Sequence, residues 1–348
     1  MDGLVYVPAQ DDAVHLVRRN VSLAKEISQV GSVSQLSSFS KIFDMLDIPD
    51  RSRLILEKDV IPVSRFDYLQ KISQNKFEFS DGSTLFRQLR SVKSEFEITQ
   101  INSAAQLVDR MFEFCIECAT PDMKEIELAA NLSSFLLSNG HAGYITTRTF
   151  NALNLQYSYV ISSGSATSNI LFTPISGHGL SAKYPFGGSR RKLGKNNPFF
   201  IDTCGNHNGY ISDTTRTFTI GHFDRDTKDQ LNSLQAIKTY ITTNLKPGTS
   251  LGQLFESVIE LSKELGIDNN FMGSQADKSP FLGHGVGLEL DELPIFYKKG
   301  HSLEPGHVLA SEPKFIIPNH KVLGIEDTYA ITTTGNTILS QAPDFYEI

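Results

Sequence analysis

The chain has 348 residues and a formal net charge of −7 at pH 7, and 40% of its residues are hydrophobic. This length can hold two domains with a sizeable core. The acidic balance excludes a general nucleic-acid binder, because phosphate contacts need a basic surface. No stretch reaches the length of apolar residues that crosses a bilayer, and the first residues lack a secretory pattern, so we expect a cytoplasmic protein without membrane contacts.

The first 90 residues alternate short strand patterns with helical ones, which predicts a small α/β domain. Residues 20–30 fit either a helix or a loop, and residues 81–94 are predicted to be a polar connection. Strands are predicted at residues 4–7, 14–17, 53–56 and 76–79, with a helix at 62–74. We therefore expect domains at residues 1–90 and 91–348.

The second domain is predicted to begin with helices and to end with strands. Ser94 and Glu97 form a capping box ahead of a helical pattern. Residues 143–163 are rich in Thr, Tyr, Val and Ile, which indicates strands. Further helices are predicted at residues 125–138, 224–244 and 251–265.

Residues 199–220 read as a β-hairpin that carries two carboxylates. Asp202 and Asp213 lie in strand-like runs on either side of a turn at residues 205–209. If the turn is centred between residues 207 and 208, the two aspartates face each other about 5 Å apart. Such a pair repels unless a proton or a cation lies between them, and two divalent metal ions fit that span. The alternative is an exposed hairpin whose aspartates point into water.

Three further residues extend this pair into a mixed set of oxygen and imidazole groups. His284 lies among glycines, and Glu312 and Glu326 each follow an apolar run. With Asp, Asp, His, Glu and Glu in this order, the sequence resembles the pita-bread metallopeptidases: methionine aminopeptidase, aminopeptidase P and prolidase. It is most similar to the Xaa-Pro peptidase branch, over nearly the whole chain. The resemblance implies an α/β (α+β) fold, a pita-bread catalytic domain behind a shortened creatinase-type N-terminal domain.

The resemblance also implies a centre of two divalent metal ions. Asp202 would bind one ion, Asp213 and Glu326 would bridge both, and His284 and Glu312 would complete the second. This ligand set favours Mn²⁺, with Co²⁺, Fe²⁺ or Zn²⁺ as alternatives. A water or hydroxide between the ions would be the nucleophile, and Glu312 would take its proton. Family members also suggest a homodimer.

Two expected histidines are missing from the sequence. Where the family usually has a His upstream of the first metal ligand, residues 182–189 read AKYPFGGS, so Tyr184 is the nearest candidate and His178 is a second one if the loop folds back. Where a second His follows the metal-binding one, the chain has Asp291. An acid there would repel a substrate carboxylate and attract an amine. The alternative is that Asp291 and Glu292 are solvated.

Two arginines accompany these candidates. Arg216 matches the hairpin motif of the family, and we expect it to support a metal-binding carboxylate rather than to bind substrate. Arg148 precedes a predicted strand near the site, where it either contributes to the site or lies on the surface.

Three functions follow, in order of preference. The first is a dinuclear metallopeptidase resembling Xaa-Pro aminopeptidases and dipeptidases, which acts on short peptides. The second is a metal-dependent hydrolase or lyase for a small non-peptide metabolite, suggested by the two missing histidines. The third is a non-catalytic binding protein with the same fold.

Overall fold

The computed structural model describes residues 3–148, 157–168, 174–274 and 277–348. The chain divides into two compact units, Met1–Phe86 and Arg87–Ile348. Among the described residues, no helix is long and apolar enough to cross a membrane.

The first unit is a small α/β assembly. Its strands are β1 (Gly3–Tyr6), β2 (Val14–Val17), β3 (Ser32–Gln35), β4 (Arg53–Leu56) and β5 (Glu78–Asp81), and its helices are α1 (Val21–Ile27), α2 (Ile42–Met45) and α3 (Val63–Ser73). Strand β2 pairs antiparallel with β1 and parallel with β3, and β4 pairs parallel with β5. Leu16, Leu36 and Ile42 form the centre of its core.

The polar connection predicted at residues 81–94 is wrong, because most of it forms helix α4 (Ser83–Ser91). Asp81 Oδ1 accepts hydrogen bonds from the Ser83 N–H at 3.0 Å and from its hydroxyl at 2.6 Å, which satisfies polar groups at the helix start. The helical residues 83–91 also contain no Gly or Pro, and the Leu, Arg and Gln residues among them favour helix.

In its described residues, the second unit combines four long helices with two larger sheets. The helices are α5 (Glu95–Cys118), α6 (Glu125–Ser138), α7 (Arg225–Asn244) and α8 (Leu251–Glu264). The strands are β6 (Ser158–Ser162), β7 (Thr167–Ser168), β8 (Ile175–Ser176), β9 (Phe199–His207), β10 (Tyr210–Thr219), β11 (Gly273–Ser274), β12 (Asp277–Lys278), β13 (Phe281–Val286), β14 (Leu290–Tyr297), β15 (Val308–Ser311), β16 (Lys314–Ile317), β17 (Lys321–Gly324), β18 (Asp327–Ile331), β19 (Asn336–Ile338) and β20 (Phe345–Glu347).

The two sheets meet along strand β10. The first sheet has the order β20-β10-β9-β6, and the second has the order β14-β13-β15-β18-β19. Helices α5 and α6 pack on the first sheet, and α8 packs on β14 of the second. Strand β10 packs against β13, β15 and β18, and the β16–β17 hairpin packs against β9 and β10. This junction brings residues from both sheets to one place.

The predicted pairing of the two aspartates is wrong by two residues. Asp202 pairs with Thr215, and Asp213 pairs with Cys204. The turn is the two-residue Asn-Gly pair at 208–209, with φ values of 52° and 87°, as a tight hairpin turn of this type requires. A shift of two residues keeps every side chain on its predicted face, so the aspartates are diagonal neighbours on one face of the sheet.

The strands predicted at residues 143–163 are present only in part. Strand β6 (Ser158–Ser162) confirms the end of this region, while residues 143–148 contain only an isolated bridge at Thr147. Residues 149–156 lie outside the described part of the chain.

Candidate metal centre

Five buried side chains converge where the two sheets meet. Asp202 comes from β9, Asp213 from β10 and His284 from β13, while Glu312 directly follows β15 and Glu326 directly precedes β18. The main chain fixes the two glutamates, since the Glu312 N–H donates to Leu282 O at 3.0 Å and the Glu326 N–H donates to Thr215 O at 3.0 Å. The side chains predicted from the sequence are therefore brought together.

Asp213, His284 and Glu326 form a group that fits a divalent metal ion. One ligand atom from each lies within 4.8 Å of the others. The Nδ1–H of His284 donates to Gly285 O at 3.1 Å, so the neutral ring carries its lone pair on Nε2, which lies 3.7 Å from Asp213 Oδ2. Among the described residues, the buried Glu326 Oε1 has no hydrogen-bond partner. A buried carboxylate with an orphaned oxygen, grouped with a second carboxylate and an imidazole, is an arrangement that a metal ion would satisfy.

Lys314, which was not predicted from the sequence, lies inside the same cluster. Its side chain is 1% exposed, and Nζ lies 2.8 Å from Asp202 Oδ2, 2.7 Å from Glu312 Oε2 and 3.4 Å from Glu326 Oε2. Asp202 and Glu312 therefore already hold a cation. The five predicted ligands therefore fit one divalent ion. A second ion would need the carboxylates of Asp202 and Glu312, and both of these already bind Lys314.

The electrostatics of the cluster reflect an excess of carboxylates. Burial raises the pKa of Glu326 to about 7, and burial together with Glu326 and Asp202 raises the pKa of Asp213 well above its ordinary value. Burial disfavours the charge of Lys314, but the carboxylates around it outweigh burial and raise its pKa well above the ordinary value. The single ammonium of Lys314 does not balance the carboxylates of the cluster, so a further cation can neutralise the remaining negative charge.

Glu326 is held by residues of strand β10. The Thr215 hydroxyl donates to Glu326 Oε2 at 2.6 Å. Arg216 is fully buried, donates to the main-chain carbonyl of Glu326, and forms an ion pair with Asp327. The arginine therefore contacts the backbone of a predicted metal ligand and the carboxylate next in the chain, which orients Glu326.

The three other candidate catalytic residues, Tyr184, Asp291 and His178, lie at different distances from the predicted metal ligands. The Tyr184 hydroxyl lies 3.0 Å from that of Tyr159, which pairs with Asp202 in the sheet. Asp291 Oδ1 lies 3.7 Å from His284 Nδ1. His178 is exposed, with Nε2 3.0 Å from the Asn319 side chain. Asp291 thus lies directly beside the predicted ligand His284, whereas Tyr184 is linked to Asp202 only through Tyr159.

Glu292 and Arg148 are less exposed than the sequence allowed. Glu292 is not solvated: it is 6% exposed and binds Lys93 Nζ at 2.8 Å and Arg90. Arg148 is not a surface residue, because its side chain is 10% exposed and lies 3.8 Å from Glu289.

The chain matches family models over both units. The model of metallopeptidase family M24 matches residues 99–333, and the model of the creatinase/prolidase N-terminal domain matches residues 2–92. A Xaa-Pro dipeptidase of Pyrococcus furiosus is 25% identical over 334 residues, which cover 96% of this chain and 85% of that protein.

Solved structures share the fold. The prolidase of Pyrococcus horikoshii superposes with a TM-score of 0.79 at 24% identity, covering 98% of this chain and 88% of that one. An X-Pro aminopeptidase of Thermotoga maritima gives a TM-score of 0.81 at 20% identity, with 99% and 90% covered. The predicted α/β pita-bread fold and the prediction of a metallopeptidase are confirmed. The chain belongs to metallopeptidase family M24.

Proposed function

We propose that the protein hydrolyses short peptides at an Xaa-Pro bond with a divalent metal ion held by Asp213, His284 and Glu326. The observation that carries the proposal is this buried group of ligand atoms with its orphaned Glu326 oxygen. The similarity to Xaa-Pro dipeptidases over almost the whole chain supports the substrate class. A bound divalent ion would act as a Lewis acid on the scissile carbonyl and make water more acidic.

The residues around this group have separate tasks in the proposal. Glu312 Oε1 faces the cluster, 3.9 Å from His284 Nε2, and would accept the proton of the attacking water, while Lys314 holds its other oxygen. The Tyr184 phenol would donate a hydrogen bond to the substrate carbonyl, since a phenol is neutral and a donor at neutral pH. Asp291 would attract the amino terminus of the substrate.

The test is hydrolysis of a dipeptide panel by protein that has been stripped with a chelator and reloaded with Mn²⁺. We expect turnover of Xaa-Pro dipeptides above that of matched Xaa-Ala dipeptides, and only after reloading. His284→Ala should reduce metal affinity and turnover by at least about a hundredfold, since the substitution removes a direct ligand. His307→Ala is the matched control, because His307 is also buried and instead accepts a hydrogen bond from the Glu304 N–H at 3.1 Å.

Different failures have different meanings in this test. Metal binding without turnover of any peptide would reject the peptidase, and a metal-dependent reaction of a small metabolite would then replace it. Equal activity of wild type and His284→Ala would show that the group is not the catalytic centre. Light scattering tests the homodimer, which rests on the resemblance. Metal competition tests the preference for Mn²⁺, which rests on the ligand set, and fractionation tests the cytoplasmic location, which rests on the apolar pattern of the sequence.

A further inference from the structure

Lys314 contacts three of the five side chains that were expected to bind metal. Its ammonium lies at hydrogen-bond distance from Asp202 and Glu312 and 3.4 Å from Glu326. We propose that this ammonium takes the place of one of the two divalent cations, so that the centre holds a single divalent ion. The inference rests on the metal site of the proposed function but not on the substrate.

The β16–β17 hairpin positions the side chain of Lys314 in the cluster. Lys314 pairs with Gly324 in this hairpin. A Cβ atom on Gly324 would lie 3.2 Å from Lys314 Cγ and 3.0 Å from Thr215 Cγ2, so the glycine leaves room for the lysine stem. The main chain of Lys314 is fixed as well, because its carbonyl accepts a hydrogen bond from the Met272 N–H at 2.8 Å. The side chain is therefore held in the cluster by the fold around it.

The arrangement of charges favours one divalent ion over two. The cluster contains four carboxylates, and Lys314 with one divalent ion supplies three positive charges against them. A second divalent ion would bring a cation beside a buried ammonium, where like charges repel strongly. It would also compete for Asp202 and Glu312, whose oxygens already accept hydrogen bonds from Nζ.

Asp213, His284 and Glu326 remain to hold the divalent ion, with one ligand atom each within 4.8 Å of the others. Glu326 Oε2 accepts a hydrogen bond from Thr215 at 2.6 Å and lies 3.4 Å from Lys314 Nζ, whereas the buried Oε1 has no hydrogen-bond partner among the described residues. Oε1 is therefore the oxygen that Glu326 can offer to a metal ion. In this chain Glu326 would link a lysine and a metal ion instead of two metal ions.

The test is the number of Mn²⁺ ions bound per chain, measured by calorimetric titration and by elemental analysis after gel filtration. We expect one ion in wild type and two in Lys314→Met, because the substitution frees Asp202 and Glu312. Electron paramagnetic resonance gives a second readout, since an isolated Mn²⁺ and a coupled pair have different spectra. Lys321→Met is the matched control: Lys321 is a buried lysine of the same hairpin that pairs with Asp226, and this variant should bind one ion.

The wild-type protein alone can overturn the inference, even if Lys314→Met does not fold. Two tightly bound Mn²⁺ ions with a coupled spectrum in wild type would reject it, and so would no bound ion. Lys314→Gln, which keeps a polar group but removes the charge, is the second variant, and a stoichiometry that stays at one in both variants would also reject the inference. Absence of Xaa-Pro turnover with one ion bound would reject the proposed substrate and leave the stoichiometry standing.

Discussion

The substitution Glu125→Gln tests how the second unit is stabilised by a buried carboxylate. This carboxylate is 0% exposed at the start of α6. Oε1 accepts hydrogen bonds from the Ser162 N–H at 2.8 Å, from the Ser162 hydroxyl and from the Ser165 hydroxyl. Oε2 accepts from the N–H and the hydroxyl of Ser189, each at 2.7 Å. One side chain therefore joins a helix, a strand end and a distant loop.

A glutamine fits the space but not the hydrogen bonds. Each carboxylate oxygen faces a backbone N–H, which can only donate, so the amide nitrogen of Gln meets a donor in either orientation. The change loses a hydrogen bond to a charged acceptor, about 1.5–3 kcal/mol, and leaves buried donors unsatisfied, about 1–3 kcal/mol. We expect a loss of about 3–5 kcal/mol in the free energy of unfolding and a fall in Tm of roughly 6–15 °C.

The assay is urea and thermal unfolding of wild type, Glu125→Gln and a matched control. Glu127→Gln lies in the first turn of the same helix, where the Glu127 side chain is 49% exposed and binds Lys124. We expect the control to lose less than about 1 kcal/mol. A Glu125→Gln protein as stable as the control would refute the account of this network.

Three further predictions concern the metal centre and the ion pairs near it. Arg216→Lys should lower metal affinity about tenfold or more, because lysine cannot reproduce the contacts to Glu326 O and Asp327. The measurement is a Mn²⁺ titration, and unchanged affinity would contradict the orienting role of Arg216. Tyr184→Phe should reduce kcat and leave Mn²⁺ stoichiometry unchanged, and an unchanged kcat would exclude the phenol from the reaction. Burial alone would raise the pKa of Glu292, but Lys93 and Arg90 outweigh it and hold that pKa below its usual value. The free energy of unfolding of wild type should therefore exceed that of Glu292→Gln by the full amount above about pH 4.3, the ordinary pKa of Glu. The difference should shrink as the pH falls through the lower pKa of Glu292 in the folded protein, and a difference that does not depend on pH in this range would contradict the prediction.

The hairpin shows how far the sequence determines local geometry. A short apolar run predicted the first strand, alternation of polar and apolar residues predicted the second, and their pairing placed Asp202 and Asp213 on one face, as observed. The register depends on the turn, and the Asn-Gly pair at 208–209 is the signal that specifies a two-residue turn. Centring a longer turn earlier moved the pairing by two residues without moving either aspartate off its face.

Lys314 could be predicted only in part. It lies two residues after Glu312, a spacing that places both side chains on one side of an extended chain. A lysine is normally solvated, however, and only the convergence of carboxylates from three strands makes its burial favourable. That convergence depends on tertiary structure, which the spacing of motifs does not supply.

Glu125 was not predictable beyond its position at a helix start. Its partners lie at Ser162, Ser165 and Ser189, in segments far along the chain that have no pattern of their own. Buried polar networks of this kind depend on how loops fold back, so composition and periodicity do not predict them. The same reason applies to Tyr184, which lies outside the strands and whose partner Tyr159 comes from β6.

If a divalent ion at Asp213, His284 and Glu326 supports Xaa-Pro hydrolysis, turnover must depend on the amount of bound metal. The measurement is a titration of chelator-stripped protein with Mn²⁺ while turnover of a Xaa-Pro dipeptide is followed. We expect turnover to rise in proportion to added metal and to level off at one ion per chain. Absence of turnover at every metal concentration, with the ion bound, would show that this site does not support the reaction.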